Sequence, residues 1–353
     1  MKQDAKSGDT PWGGLFRAAI IGAGTLKGKE IKDVLTDRSF PATDVRLLDD
    51  DETLGTLENV GDEPTFIQGV LPEHLERVDF TFFATDDEFT TATWHMAQSA
   101  GSEIIDLSFA LENEPGVRLR APWIEQEFGI VQPVELKTTP VAVAHPASVV
   151  LALLTARVQK LRKLHRLMAT VFEPASERGK RGMDELHDQT VNLLSFQQMP
   201  MNVFGTQIAF NMVPSFGEEA EPTLEEVEKR ILDHYKRIAG DRLPLPSLML
   251  LQAPVFHAHT FSIYIELESP VSLEELESAL GGDHVEIAHT IEDNPSNVNV
   301  AGQDQVQVMV KRDPLHENGF WLWVAADNLR IAATMAVECA EHMATTRPRG
   351  KVQ

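Results

Sequence analysis

The first residues with the spacing to do chemistry are glycines. Gly22-Ala-Gly24-Thr25-Leu-Lys-Gly28 follows an apolar run and opens a helical stretch. Glycine in such a turn lets a pyrophosphate approach the N–H groups at a helix N-terminus. The third glycine stands one position later than in the usual dinucleotide fingerprint, so the same residues also read as a tight turn with no ligand. The acidic residue that the fingerprint wants about 20 positions on is present as Asp49 or Asp50, at the end of the next apolar run. A carboxylate there binds a ribose 2′-hydroxyl and repels a 2′-phosphate, so NAD is favoured over NADP. The acidic run Asp49–Glu52 reads equally as a solvated loop. His257 and His259 would share one face of a strand and form a metal pair there, but no third ligand is evident, and no metal is expected. Ser148 comes just after Pro146 and before an apolar stretch, which suits a helix N-cap.

These residues need elements to position them. Leu15–Gly22, Val45–Leu48, Asp79–Ala84 and Glu103–Leu107 read as strands, with helical stretches Lys27–Leu35 and Glu88–Ala100 between them. Strands alternating with helices imply a parallel sheet covered on both faces, a nucleotide-binding type of α/β domain. The second half differs. Val149–Lys163, Met183–Leu194 and Thr223–Ile238 read as helices, and Leu164–Phe172, Phe256–Glu268 and Val306–Val310 as strands of a mostly antiparallel sheet, giving an α+β domain. Asn328–Met343 is an alanine-rich helix, and Met168, Met183 and Met212 read as core fillers. Residues 1–14 read as a tail, polar and without an apolar signal core.

Composition narrows the partners. The 353 residues carry 31 Lys plus Arg against 54 Asp plus Glu, a net charge of −23. That surface repels phosphate backbones and anionic lipid, so neither nucleic acid nor membrane is an expected partner. One cysteine, Cys339, allows no intrachain disulfide and fits a reducing, cytoplasmic setting.

Five segments, in order, resemble the aspartate-semialdehyde dehydrogenase family. Gly182-Met-Asp-Glu-Leu-His-Asp-Gln-Thr190 resembles its G-x-D-E-L-x-x-Q-T helix, and Ile208-Ala-Phe-Asn-Met-Val-Pro214 its A-F-N-x-x-P strand. Pro254–His259 resembles P-V-x-x-G-H, Val300–Asp304 resembles V-A-G-x-D, and Trp323–Arg330 resembles W-x-x-x-D-N-L-R. The resemblance implies a Rossmann-like NAD(P)-binding domain of residues 15–143 and 325–348, and a dimerisation domain of residues 144–324 that makes a homodimer. It also implies cofactor contacts from Gly22, Gly24, Thr25, Gly28, Asp49, Asp50 and Asn328.

The chemistry departs from the family. Its N-P-N-C turn, which carries the nucleophile, is matched by His145-Pro-Ala-Ser148, with serine where cysteine belongs. The glutamine before A-x-S-G is matched by Glu173, the substrate-binding arginine two residues before P-V by Gln252, and the arginine after the D-N-x-S-x-x stretch by Leu111. A glycine-arginine pair near Met309 is missing, and the histidine remains as His259. A serine hydroxyl is neither ionised nor strongly nucleophilic without an adjacent base, and Gln or Leu cannot replace a bidentate anion anchor. Three readings follow. The chain is a catalytically impaired, homodimeric paralogue that binds NAD and serves a small-molecule or protein partner. Alternatively it is an NAD-linked oxidoreductase on another substrate. In the third, Ser148, Glu173 and His259 form a hydrolase triad in the chain order Ser, Glu, His.

Overall fold

The computed structural model describes residues 15–50, 53–61, 63–133, 139–290 and 292–346; the tail expected at 1–14 lies outside these, as do Asp51 and Glu52 of the acidic run. Two compact units result, residues 1–143 with 332–353 and residues 144–331. Residues 325–331 thus stay with the second unit rather than the first, because Gly319–Ala326 is a strand paired within that unit's sheet.

The first unit is built on a seven-stranded sheet in the order Gln68–Gly69, Ala42–Asp49, Phe16–Ile21, Phe80–Phe83, Glu103–Asp106, Val141–Val143, Arg118–Arg120. Its pairings are all parallel. Central strands of a parallel sheet are buried on both faces and so read as unbroken apolar runs, which is why Phe80-Thr-Phe-Phe83 is buried throughout. The helix Leu26–Asp37 turns Ile31, Val34 and Leu35 inward at helical spacing, and Asp86 caps the helix Asp87–Ser99 by accepting from the Phe89 N–H.

The second unit has a six-stranded mixed sheet in the order Ser247–Gln252, Leu164–Glu173, His259–Leu267, Gly319–Ala326, Val306–Arg312, Val285–Ile287. The three central pairings are antiparallel and the two outer ones parallel. The helix Pro146–Leu161 is buried from Pro146 to Val158, matching its apolar sequence. In the helix Leu224–Ala239, Thr223 and Glu226 form a capping box, and Leu224, Val227, Ile231 and Tyr235 face inward. No helix among the described residues is long and apolar enough to cross a membrane.

The motifs that carried the resemblance hold this unit together. The Glu185 carboxylate accepts from three successive backbone N–H groups, Asn202 (2.6 Å), Val203 (2.7 Å) and Phe204 (3.1 Å). One turn on, Gln189 accepts from Ile208 and Ala209 N–H and donates to Pro200 and Thr206 carbonyls. A side chain at Gly182 would put its Cβ 2.5 Å from the Ala175 carbonyl oxygen. Asp327 caps the helix Asn328–Thr346 and accepts from Gly302 N–H, while Arg330 pairs with Asp304 at 2.6 Å, so V-A-G-x-D and D-N-L-R are two sides of one joint. Of the three methionines read as core fillers, only Met183 is one, packed against the Leu186 cluster; Met168 and Met212 are 44% and 58% exposed.

Glu185 supplies acceptors to backbone that would otherwise be buried unpaired. Glu185→Ala should therefore destabilise the second unit by about 3 kcal/mol or more, read as a lowered urea midpoint. An unchanged midpoint would show that the segment after Pro200 satisfies its own backbone.

Candidate active site

In the first unit, Gly22 has φ +86°, and a Cβ there would stand 2.6 Å from Thr85 N. A Cβ on Gly28 would stand 2.1 Å from the Gly22 carbonyl oxygen, so strand and helix meet closely only because both are glycine. Thr25 is the helix N-cap; its Oγ1 accepts from Gly28 N–H at 3.0 Å. The Asp49 carboxylate, 5% exposed, accepts from Gly24 N–H at 2.7 Å and from Asp50 N–H at 3.0 Å. Gly24 is what allows this, since its Cβ would come 2.8 Å from Asp49 Oδ2. The turn therefore brings a fixed carboxylate against a helix N-terminus, and Asp50 beside it is exposed. Leu111 is 2% exposed and packs with Leu75, Val78 and Phe83, so this position is core and offers nothing to an anion.

In the second unit, the first-turn proline starts the helix at Pro146 and makes His145 its N-cap, accepting from Ala147 N–H at 3.2 Å through Nδ1. Ser148 is thus inside the first turn rather than the cap, and its hydroxyl donates to the Ile231 carbonyl at 2.7 Å. Glu173 closes the strand Leu164–Glu173 and is fully buried, not half-exposed as a strand end would suggest; neither carboxylate oxygen has a hydrogen-bond partner. Gln252 is equally buried, and its Nε2 donates to the carbonyls of Glu173 and Ala253 at 2.9 Å each. His259 begins the strand His259–Leu267, following Ala258 at φ +68°. His257 lies before that strand, so the same-face argument for a metal pair does not apply.

The triad is not assembled. The Ser148 proton goes to a main-chain oxygen, His259 Nε2 makes no hydrogen bond, and the carboxylate it faces is Glu177, at 3.7 Å, rather than Glu173. Glu177 stands in the glycine place of the A-x-S-G pattern and escaped the sequence reading. Its carboxylate lies between two imidazoles, 3.9 Å from His145 Nε2 and 3.7 Å from His259 Nε2, and accepts from Asn328 Nδ2 at 2.8 Å. Asn328, expected at the cofactor, also accepts from Ser176 Oγ and Ala258 N–H.

Burial, followed by the charge of Glu177, pushes the Glu173 carboxyl up to about 8, against partial relief from Arg178 and Arg230. Burial likewise pushes His259 down, opposed by Glu177 and Asp327. At neutral pH Glu173 is thus a neutral carboxylic acid and His259 a neutral imidazole. The raised Glu173 value means that the folded state holds this proton more tightly than the unfolded chain does. Stability therefore falls as pH rises from the ordinary 4.5 to about 8 and levels off above it. Glu173→Gln, which needs no ionisation, should gain on the original protein across that window, by on the order of 3 kcal/mol at the alkaline end. Urea midpoints at pH 5 and pH 8 read this, and a difference that does not grow with pH would contradict it.

Comparison with known proteins agrees with this geometry. Residues 154–331 match the family described as "Semialdehyde dehydrogenase, dimerisation domain", and residues 17–144 match "Semialdehyde dehydrogenase, NAD binding domain". The aspartate-semialdehyde dehydrogenase of Rickettsia bellii is 29% identical over 339 residues, covering 94% of this chain and 98% of that one. A crystal structure of Vibrio cholerae aspartate semialdehyde dehydrogenase II complexed with ASA is 26% identical, with a TM-score of 0.80 over 94% of this chain and 98% of that one. The structure of a probable aspartate-semialdehyde dehydrogenase from Pseudomonas aeruginosa has the same identity and TM-score over 93% of this chain and 98% of that one. With both halves matched in order and the glycine turn, sheets and motif joints in place, the chain belongs to the semialdehyde dehydrogenase family.

Proposed function

We propose that this protein is a homodimeric, NAD-binding paralogue that does not carry out phosphate-dependent oxidation of aspartate semialdehyde and acts by binding a small molecule or protein partner. One observation carries the reading: the Ser148 hydroxyl, at the nucleophile's place, is a buried donor to the Ile231 carbonyl. An acyl-transfer nucleophile needs a base to take its proton, and here the hydroxyl hydrogen is bonded to a main-chain carbonyl, which cannot act as that base. Gln252 and Leu111 at the two arginine places add to this, because neither supplies charge to an anionic substrate. Together these substitutions cost on the order of 10³-fold or more in rate. Turnover of aspartate semialdehyde with NAD or NADP and phosphate, at a rate comparable with ordinary family members, would overturn the proposal. Oxidation of another aldehyde with NAD would move the reading to an active oxidoreductase. The single buried thiol fits a cytoplasmic setting.

A dinucleotide fits the turn. Gly22, Gly24, Thr25 and Gly28 would hold the pyrophosphate, and Asp49 and Asp50 the ribose. The cofactor, when bound, supplies hydride chemistry; the chain's residues supply its binding and orientation. Asp49 is already oriented by two backbone N–H groups, which favours a ribose hydroxyl over a 2′-phosphate. Calorimetry should therefore find tighter binding of NAD than of NADP, with Asp49→Ala or Asp50→Ala narrowing the gap; tighter NADP binding in the original protein would refute the assignment.

The dimer would form through the second unit. Met168, Tyr264 and Trp321 align across three neighbouring strands, and Met249 stands on the next strand beside Thr170 on the same face. Met168, Met249 and Trp321 are 44%, 55% and 42% exposed, an apolar sheet face that a second copy would cover. Sedimentation at micromolar concentration should give a dimer, and Trp321→Glu a monomer; a monomeric original protein counts against this.

A further inference from the structure

The polar cluster of the second unit holds one carboxylate that neither the family pattern nor the proposed function explains. Glu177 lies in the short 3-10 turn Ala175–Arg178, ended by Gly179 at φ +63°, and its side chain is only 8% exposed. The A-x-S-G pattern has glycine at this place, so a backbone that needs no side chain here carries one directed into a buried polar setting.

Other contacts fix two of the groups around that carboxylate, Asn328 and His145, as donors. Asn328 Oδ1 accepts from Ser176 Oγ at 3.2 Å and from Ala258 N–H at 3.1 Å, so its amide nitrogen faces Glu177. His145 Nδ1 accepts from Ala147 N–H, which puts the ring proton on Nε2, the atom 3.9 Å from Glu177 Oε2. His259 Nε2 makes no hydrogen bond and lies 3.7 Å from Oε1. The neighbouring charged groups are Glu173, Arg178, Arg230 and Asp327. Arg178 Nη2 is anchored on the Pro222 carbonyl at 2.6 Å and its guanidinium stacks over the Phe216 ring, so it does not close on Glu177 as an ion pair. One bonded amide N–H, with two imidazole nitrogens at 3.9 and 3.7 Å, surrounds one buried carboxylate, a grouping suited to carboxylate recognition.

We propose that His145, His259 and Asn328 form a carboxylate-binding site whose occupant in the free protein is the chain's own Glu177. The ligand class is a small monocarboxylate, and the tethered side chain excludes it. The proposal shares the cluster with the proposed function. It relies on that assignment only for the place of Glu177 in the A-x-S-G pattern. Binding is read without cofactor or turnover, so either can fail alone.

The test removes the tethered carboxylate and offers a free one. Glu177→Gly is melted in 100 mM sodium acetate and in sodium chloride of equal ionic strength, beside the original protein and Glu177→Gln, which keeps the site filled. Acetate should raise the midpoint of Glu177→Gly by about 2–4 °C and leave the other two unmoved. The shift should vanish in Glu177→Gly/Asn328→Ala, and methylammonium chloride should not reproduce it. Equal shifts in all proteins, or none in a folded Glu177→Gly, overturn the proposal. If the glycine variant does not fold, Glu177→Ser takes its place in the same measurement. Folding restored by acetate supports the site; variants unfolded both with and without acetate count against it.

Discussion

One side-chain amide fixes the geometry of the second unit's polar cluster. Asn328 receives hydrogen bonds from Ser176 and Ala258 and gives one to Glu177, joining the turn after Glu173, the approach to His259 and the start of the last helix. Asn328 is itself held in place, because Asp327 caps that helix and accepts from Gly302 N–H. An unpaired polar group in such a dry place costs about 1–3 kcal/mol. The partners of Asn328 are therefore constrained together, and removing its amide takes one hydrogen bond from each of them.

The same accounting separates scaffold from chemistry. Glu185, Gln189, Asp327 and Arg330 belong to family motifs and hold buried backbone or one another. These contacts depend on the fold alone and survive any change of reaction. Ser148, Gln252 and Leu111, which the resemblance matches to the family's nucleophile and arginines, each serve packing or hydrogen bonding inside their own unit. Glu173 is different: a fully buried carboxyl without hydrogen-bond partners lowers stability.

Much of this was legible in the residues. The apolar run before Gly22, the glycines themselves and the acidic end of the next strand placed the strand, turn and helix, and the motif segments placed the second unit. Several short strands escaped, among them Gln68–Gly69, Arg118–Arg120, Val141–Val143 and Val285–Ile287, and so did two longer ones. Ser247–Gln252 is an edge strand with exposed Ser247 and Met249, and Gly319–Ala326 was read only as the lead-in to D-N-L-R. The Ser148 cap failed because Pro146 starts the helix two residues earlier. Glu177 was invisible for a physical reason: its partners His145, His259 and Asn328 are distant in sequence, and local pattern says nothing about contacts that only the folded sheet creates.

The central claim is that the nucleophile's place has become a structural one, and a thiol put there measures it directly. Ser148→Cys carries two thiols, the new one and Cys339, which is fully buried and whose thiol burial pushes up to about 12. Iodoacetamide labelling followed by mass spectrometry, in buffer and then in urea, reports each separately. The account predicts that neither thiol is alkylated in the folded protein and that both are in urea. Rapid alkylation of residue 148 in the folded state, with Cys339 still protected, would show an open, activated position and contradict it.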